Sequence, residues 1–166
     1  MKSFIRDIII VLVIVLAVTF FIKPIIVKQT SMEPTLQPNN YLFVSRQAYR
    51  FGEPKRGDII VFPHYTGTEK ELYIKRVIGL PGETITIKDG DVYIDGKKLS
   101  EKYTKDGYTS GDVTDYKVPE GQVYVMGDNR AVSIDSRSKE VGTVSISDIT
   151  GEAVFRIYPF DEFGLL

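Results

Sequence analysis

Residues 72–96 read LYIKRVIGLPGETITIKDGDVYIDG, and this stretch decides the fold. It holds three runs rich in Val, Ile and Tyr, residue types that favour strands: Leu72–Ile78, Thr84–Lys88 and Val92–Ile94. Turn residues follow each run: Leu80-Pro81-Gly82, Asp89-Gly90 and Asp95-Gly96. Asp-Gly between two short β-like runs is typical of a tight hairpin. The stretch therefore predicts consecutive antiparallel strands.

The same pattern continues on both sides of this stretch. The further β-like runs are Tyr41–Ser45, Asp58–Phe62, Gln122–Met126 and Glu152–Ile157. Glu101–Glu120 is polar and rich in Gly, Asp and Thr, which predicts an extended surface loop. The sequence therefore predicts a mainly β fold, with one compact antiparallel β domain over residues 25–166.

The N-terminal segment differs from the rest in composition. Ile8–Ile22 carries no charge and one polar residue, Thr19. As a helix it would span roughly 22 Å at about 1.5 Å per residue, and flanking apolar residues extend it toward the ~30 Å hydrocarbon core. Two alternatives fit less well. A cleaved signal peptide would need a small-x-small site after the run, and a buried core helix usually has a polar stripe. We expect one transmembrane helix in an anchor of residues 1–24, with an orientation that charge alone leaves open.

Composition excludes several function classes. The 21 basic and 22 acidic residues nearly balance, so there is no electrostatic case for nucleic-acid binding. The absence of cysteine excludes disulfides, cysteine-based zinc sites and thiol nucleophiles. The single histidine, His64, begins a polar loop, and no GxSxG elbow surrounds any serine. We expect neither a metal nor a cofactor.

Three segments carry residues suited to chemistry. Ser31 begins SMEPTL (31–36) shortly after the anchor, although such a serine is often only a turn or cap residue. Lys75 lies in an otherwise apolar run, on the strand face of Tyr73 and Val77; the alternative is a lysine that snorkels from a strand edge. The third segment, GDNRAVSIDSR (127–137), is either a solvated loop or a set of charge-assisted pairs that orients another group.

Together these segments resemble the conserved boxes of type I signal peptidases. The boxes, in the order of that family, are SMEPTL, RGDIIVF (56–62), YIKRVIGLPGE (73–83) and GDNRAVSIDSR. A lysine in the second catalytic box is similar to the bacterial enzymes, and the short chain to the compact Gram-positive ones. The resemblance extends from Ile8 to Arg137. It implies a membrane-bound serine endopeptidase that cleaves N-terminal signal peptides from exported preproteins after small-x-small sites.

The resemblance also implies a location and partners. The anchor would cross the bacterial cytoplasmic membrane once, with the catalytic domain on the extracytoplasmic side. The partners would be signal peptides and the lipid bilayer, without nucleic acid or metal. The substrate would bind as an added strand, with small side chains at the first and third positions before the cut.

Individual residues acquire roles in the same way. The resemblance implies that Ser31 is the nucleophile and Lys75 the general base, with Ser133 hydrogen-bonded to the lysine. It assigns supporting roles to Arg76, Asp128, Asp135 and Arg137, and pocket-lining roles to Tyr73 and Ile74. Some relatives carry a hydroxyl residue two positions before the nucleophile, where this chain has Gln29. The oxyanion hole would then combine the Ser31 N–H with a second backbone donor or with the Gln29 amide.

The chemistry sets a condition on Lys75. A free lysine, with a pKa of about 10.4, is protonated at neutral pH and cannot accept the serine proton. Lowering that pKa to roughly 8 requires ~3 kcal/mol of ammonium destabilisation, which burial among apolar side chains can supply. A neighbouring carboxylate would oppose the lowering. We therefore expect Asp128 and Asp135 to pair with arginines and not with Lys75.

Two other functions are compatible with a Ser–Lys pair or with its loss. A stress-repressor type of autoprotease uses the same dyad, but it works beside a DNA-binding domain that this sequence lacks. A membrane-tethered scaffold without activity would not need Ser31 or Lys75, both of which are present.

Overall fold

The computed structural model describes residues 2–50 and 52–166; Met1, the first residue of the predicted anchor, lies outside this range, as does Phe51. Within it, one long helix, α1 (Lys2–Phe21), precedes a domain of strands. The strands are β1 (Ile22–Ile26), β2 (Tyr41–Ser45), β3 (Ile59–Thr66), β4 (Glu69–Gly79), β5 (Thr84–Lys88), β6 (Asp91–Ile94), β7 (Lys97–Lys98), β8 (Val113–Lys117), β9 (Gln122–Met126), β10 (Val144–Ser145), β11 (Gly151–Tyr158) and β12 (Gly164–Leu165). Two 3₁₀ turns complete the described structure, Ile146–Asp148 and Phe160–Glu162.

The apolar part of helix α1 is not buried against the β domain. Its apolar window, Phe4–Phe21, has a mean hydropathy of 2.7 and is 0% buried, so by length and composition it can cross a membrane. This exposure excludes the buried core helix. At its C-terminal end, the side chains of Arg46 and Gln47 donate to the carbonyls of Thr19 and Phe20, each at 3.4 Å. These donors satisfy carbonyl groups that a helix end leaves unpaired.

Strand β1 follows α1 without a linker, so the anchor boundary expected after Pro24 falls inside a strand. Pro24 is opposite Phe43 of β2, and β1 is the outermost strand of its sheet. A proline lacks the N–H that an inner strand would need, and an edge strand tolerates that loss. The proline and the neighbouring lysine hide this strand from a sequence pattern.

The strands form two antiparallel sheets, which confirms the predicted fold class. The larger has eight strands, in the order β1-β2-β11-β3-β4-β9-β10, with β12 beside β11. The smaller has the order β7-β6-β5-β8. Both predicted Asp-Gly turns are present, and at the first one Asp89 and Gly90 have φ values of 52° and 84°. Such positive φ values are what a two-residue hairpin turn requires.

All the predicted strands are present, and the main error concerns Glu101–Glu120. This segment is not simply a surface loop, because β8 lies within it and pairs with β5. Thr109 is only 2% exposed. The segment is polar, so its burial depends on partners elsewhere in the chain rather than on its own apolar pattern.

Strand β4 occupies the centre of the larger sheet and supports the site. Its residue Ile74 joins a core cluster that includes Val27 and Leu36. Val77, from the opposite face, joins a second cluster with Val123 and Val125. The alternation of a strand thus places β4 between two apolar layers.

Candidate active site

Ser31 lies on the turn that follows β1, held against the loop after β9. Its carbonyl accepts a hydrogen bond from the Asn129 N–H at 3.0 Å, and the Asn129 side-chain amide donates to the Thr30 carbonyl at 3.2 Å. Ser31 is 9% exposed. The turn thus presents its hydroxyl to the protein interior.

Lys75 reaches Ser31 from strand β4. Its Nζ donates to Ser31 Oγ at 2.8 Å, which joins two residues that are 44 positions apart. The side chain lies among the largest fully buried ones, and the residue is 1% exposed. The Tyr73 ring covers the amine, with its centroid 4.9 Å from Nζ. The expected strand face of Tyr73, Lys75 and Val77 is therefore inward.

The surroundings of Lys75 favour the neutral form of its amine. Burial lowers the pKa of Lys75 from 10.5 to about 8, the Asp135 carboxylate partly opposes this, and the Arg137 guanidinium assists it. Desolvation acts this way because a low-dielectric environment disfavours the charged form. The amine is therefore partly neutral at physiological pH.

The carboxylates near the dyad pair with arginines, as expected. Arg76 donates to both oxygens of Asp128, at 2.8 and 2.6 Å. Arg137 donates to both oxygens of Asp135, at 2.8 and 2.9 Å. Burial alone would raise the pKa of Asp135, but the hydrogen bonds and charge of Arg137 hold that pKa below its usual value. Among the described residues, neither carboxylate forms an ion pair with Lys75.

Ser133 differs from the expectation. Its Oγ is buried and has no hydrogen-bond partner within the described structure, so the bond to Lys75 implied by the resemblance is absent. The lysine amine is directed at Ser31 instead. The Ser133 hydroxyl lies close enough to the Asp135 carboxylate to help lower the pKa of Asp135, although the two do not meet hydrogen-bond geometry.

Two residues of the site gave little signal in the sequence. Thr35 donates to Asp128 Oδ2 at 2.5 Å and so ties the nucleophile turn to the Arg76–Asp128 pair. Gly127 leaves room for its neighbours, because a Cβ there would overlap the Ser31 carbonyl oxygen and Ser133 Oγ. Their only signal was their position inside the SMEPTL and GDNR segments.

A cleft of about 650 Å³ lies next to the Ser31–Lys75 pair: its lining includes Gln29, two residues before Ser31, and Ile74, the residue before Lys75. One wall is residues 23–29 and the other includes Lys70, Glu71, Leu72 and Ile74. Ile74 lines this cleft. Tyr73 is not among the described lining residues, because successive residues of a strand face opposite ways.

His64 and Gln29 lie near the Ser31–Lys75 pair, and each contacts other residues. Tyr73 packs against His64, with ring centroids 4.5 Å apart, and His64 contacts Glu140 at 3.5 Å; this histidine is not part of the dyad. The Gln29 amide is exposed and donates to Glu71 Oε2 at 3.5 Å, across the cleft.

Both walls of the cleft are free strand edges. β1 pairs on one side only, with β2. On β4, residues 69–76 pair with β3, whereas pairing with β9 begins only at Arg76. Within the described structure, the segment of β4 before Arg76 therefore has an unpaired edge. An extended peptide in the cleft could bond to the backbone on both sides.

Comparisons with known proteins show which family the chain resembles. Residues 1–158 match the family described as signal peptidase, peptidase S26. Signal peptidase I of Bacillus licheniformis is 41% identical over 171 residues, covering 96% of this chain and 90% of the relative. Signal peptidase I T of Bacillus subtilis (strain 168) is 41% identical over 152 residues, covering 86% and 77%. The crystal structure of a signal peptidase I from Enterococcus faecalis V583 superposes with a TM-score of 0.51 at 37% identity, covering 61% of this chain and 97% of that one.

Proposed function

The chain belongs to the signal peptidase family, peptidase S26, and we propose that it cleaves signal peptides from exported preproteins with Ser31 as nucleophile and Lys75 as general base. The observation that carries this mechanism is the 2.8 Å contact between Lys75 Nζ and Ser31 Oγ inside a buried pocket. Serine is a weak nucleophile until a base takes its proton, and a buried lysine can be that base.

The dyad accounts for both halves of the reaction. Neutral Lys75 takes the Ser31 proton as Oγ attacks the scissile carbonyl, and the resulting ammonium then protonates the leaving amine as the peptide bond breaks. Water then attacks the acyl-enzyme as Lys75 takes one of its protons, and the ammonium passes that proton to Ser31 Oγ as the ester bond breaks. The new carboxylic acid loses its proton to solvent, so Lys75 is neutral again. Because Asp128 and Asp135 are paired with arginines, neither forms an ion pair with the amine, and burial of Lys75 outweighs the remaining attraction of Asp135 for the ammonium.

The oxyanion of the tetrahedral intermediate needs fixed donors, each typically worth ~3–4 kcal/mol. The Ser31 N–H donates to no described group, so it is available to the substrate carbonyl. The Gln29 amide is a candidate for the second donor only if it leaves Glu71, to which it now donates at 3.5 Å. We therefore assign the Ser31 N–H as the first donor.

The cleft supports binding of the substrate as an added strand. Its two free edges offer backbone donors and acceptors, and Ile25, Val27 and Ile74 give it apolar walls. Alternate side chains of a bound strand point to the same wall, which suits a preference for small residues at the first and third positions before the cut.

The helix α1 supports a membrane-bound enzyme, and the family resemblance supports a catalytic domain on the extracytoplasmic side. Ser31 lies ten residues after Phe21, the last residue of α1. The end of the apolar stretch of a signal peptide lies at the membrane surface, so tethering raises its effective concentration at the cleft.

Cleavage of a preprotein with an A-x-A site tests the proposal. The full chain in detergent is compared with Ser31→Ala and Lys75→Met, and with two matched controls, Ser100→Ala and Lys102→Met, at exposed positions. We expect cleavage after the second alanine by the wild type and both controls, and none by the dyad variants. Equal behaviour of all five would refute the dyad and favour the scaffold alternative.

A further inference from the structure

The segment 101–111, which the sequence analysis assigned to the surface, is clamped to the loop that follows β9. Arg130 is 1% exposed and donates to both carboxylate oxygens of Glu101, at 3.0 and 2.5 Å. It also donates to Thr109 Oγ1 and, at 2.9 Å, to the Gly127 carbonyl. A single buried guanidinium thus joins both ends of the segment to the loop after β9. Bidentate pairs of this kind fix orientation as well as distance.

The middle of the segment covers the Arg76–Asp128 pair. The Tyr103 ring stacks on the Arg76 guanidinium, with its centroid 4.2 Å away, and its hydroxyl donates to Glu101 Oε1 at 2.8 Å. The Lys105 N–H donates to the Asp128 carbonyl at 3.1 Å. The segment therefore shields one side of the Arg76–Asp128 ion pair from water.

From this position the segment reaches the nucleophile turn directly. Lys105 Nζ lies 2.7 Å from Glu33 Oε2, two residues after Ser31. The two side chains are 44% and 17% exposed. A pair this exposed contributes little to folding stability. Its remaining effect is geometric, because it fixes the turn to a clamped part of the domain.

We propose that segment 101–111 positions the nucleophile, with Lys105 and Glu33 as the positioning pair. This inference rests on the proposed function of Ser31. Lys75 is held by a strand at the centre of a sheet, whereas Ser31 lies on a turn outside any strand. Asn129 holds this turn at Thr30 and Ser31, and the Lys105–Glu33 pair holds it two residues after Ser31. The distance from Ser31 to Lys75 depends on these contacts, and small displacements of a reacting atom have large effects on rate.

The test compares steady-state kinetics of full-chain variants in detergent on a soluble peptide with an A-x-A site. Lys105→Met and Glu33→Gln each break the pair, and the double variant Glu33→Lys with Lys105→Glu restores it with reversed charges. Lys102→Met, an exposed lysine of the same segment, is the matched control. These positions are chosen because substitution of buried Arg130 would also disturb folding.

We expect each single variant to lower kcat by about threefold, as the small energy of an exposed pair allows, with KM changed by less than about twofold, and the reversed pair to recover most of that loss. Lys102→Met should match the wild type, and the Tm of every variant should remain within a few degrees of it. Wild-type kcat in Lys105→Met, or a reversed pair no faster than the single variants, would overturn the inference. Inactive wild-type protein, or active Ser31→Ala, would instead overturn the proposed function.

Discussion

Arg137 offsets the charge of the Asp135 carboxylate near Lys75, the proposed general base, so its replacement tests the electrostatics of the proposed dyad. Arg137 pairs with both oxygens of Asp135, and its charge helps to lower the pKa of Lys75. In Arg137→Met the Asp135 carboxylate loses its partner and acts on the ammonium without compensation. The pKa of Lys75 should therefore rise, since a nearby opposite charge favours the charged form.

The size of the effect follows from the starting value. Burial places the pKa of Lys75 at about 8, so about one amine in eleven is neutral at pH 7. A rise to roughly 9 leaves about one in a hundred neutral. Because the neutral amine is the active form, kcat/KM should fall about tenfold at pH 7 and approach the wild-type value above about pH 10. Tenfold corresponds to ~1.4 kcal/mol.

The assay is the pH dependence of kcat/KM on a soluble A-x-A peptide between about pH 6 and 10.5. The companion variant Asp135→Asn removes the carboxylate that favours the ammonium, so its acidic limb should move to lower pH. A shift of the acidic limb to higher pH in Arg137→Met and to lower pH in Asp135→Asn supports the assignment of Lys75 as base. If the acidic limb stays at the wild-type position in both variants, or shifts in the same direction in both, another group controls the reaction.

Three further outcomes are expected. The Lys75→Met variant should be inactive but more stable, with a higher Tm at pH 7. The pKa of Lys75 is about 8 in the folded protein and 10.5 when unfolded, so protonation favours the unfolded state as the pH falls from about 10.5 to 8. Below that range the folded protein loses ~3 kcal/mol of stability, which the methionine variant does not lose. Gly127→Ala should abolish cleavage and lower the Tm, because its Cβ overlaps the Ser31 carbonyl oxygen; a fully active variant would contradict the packing. Thr35→Val should reduce kcat several-fold by leaving Asp128 without one hydrogen bond, whereas Thr35→Ser should retain the activity.

Local chemistry made most of the fold predictable. The Asp-Gly pairs specify hairpins through their backbone conformation alone, and β-branched runs specify the strands between them. The strand β1 could not be recognised, because Pro24 is acceptable only at a sheet edge and the sequence does not say where the edge lies. Strand β8 is mostly exposed, so it has no apolar alternation to reveal it.

The candidate site was predictable where a residue differs in polarity from its neighbours in the sequence. A lysine in an apolar run indicates a buried amine, and the cluster after β9 indicates arginine–carboxylate pairs. The burial of Glu101 and Thr109 was not predictable, because it depends on Arg130, more than twenty residues away. The direction of the Lys75 amine, toward Ser31 rather than Ser133, depends on the three-dimensional arrangement of the turn.

The two free strand edges of the cleft also bear on how copies of this protein behave toward each other. An open edge pairs with any extended chain, including the same edge of a neighbouring molecule, and such pairing is a route to aggregation. Lys23 and Lys28 border the β1 edge, and residues 22–29 include no carboxylate. When the β1 edges of two copies approach each other, these ammonium groups repel. The lysines beside the cleft thereby oppose growth of the sheet from one molecule into the next.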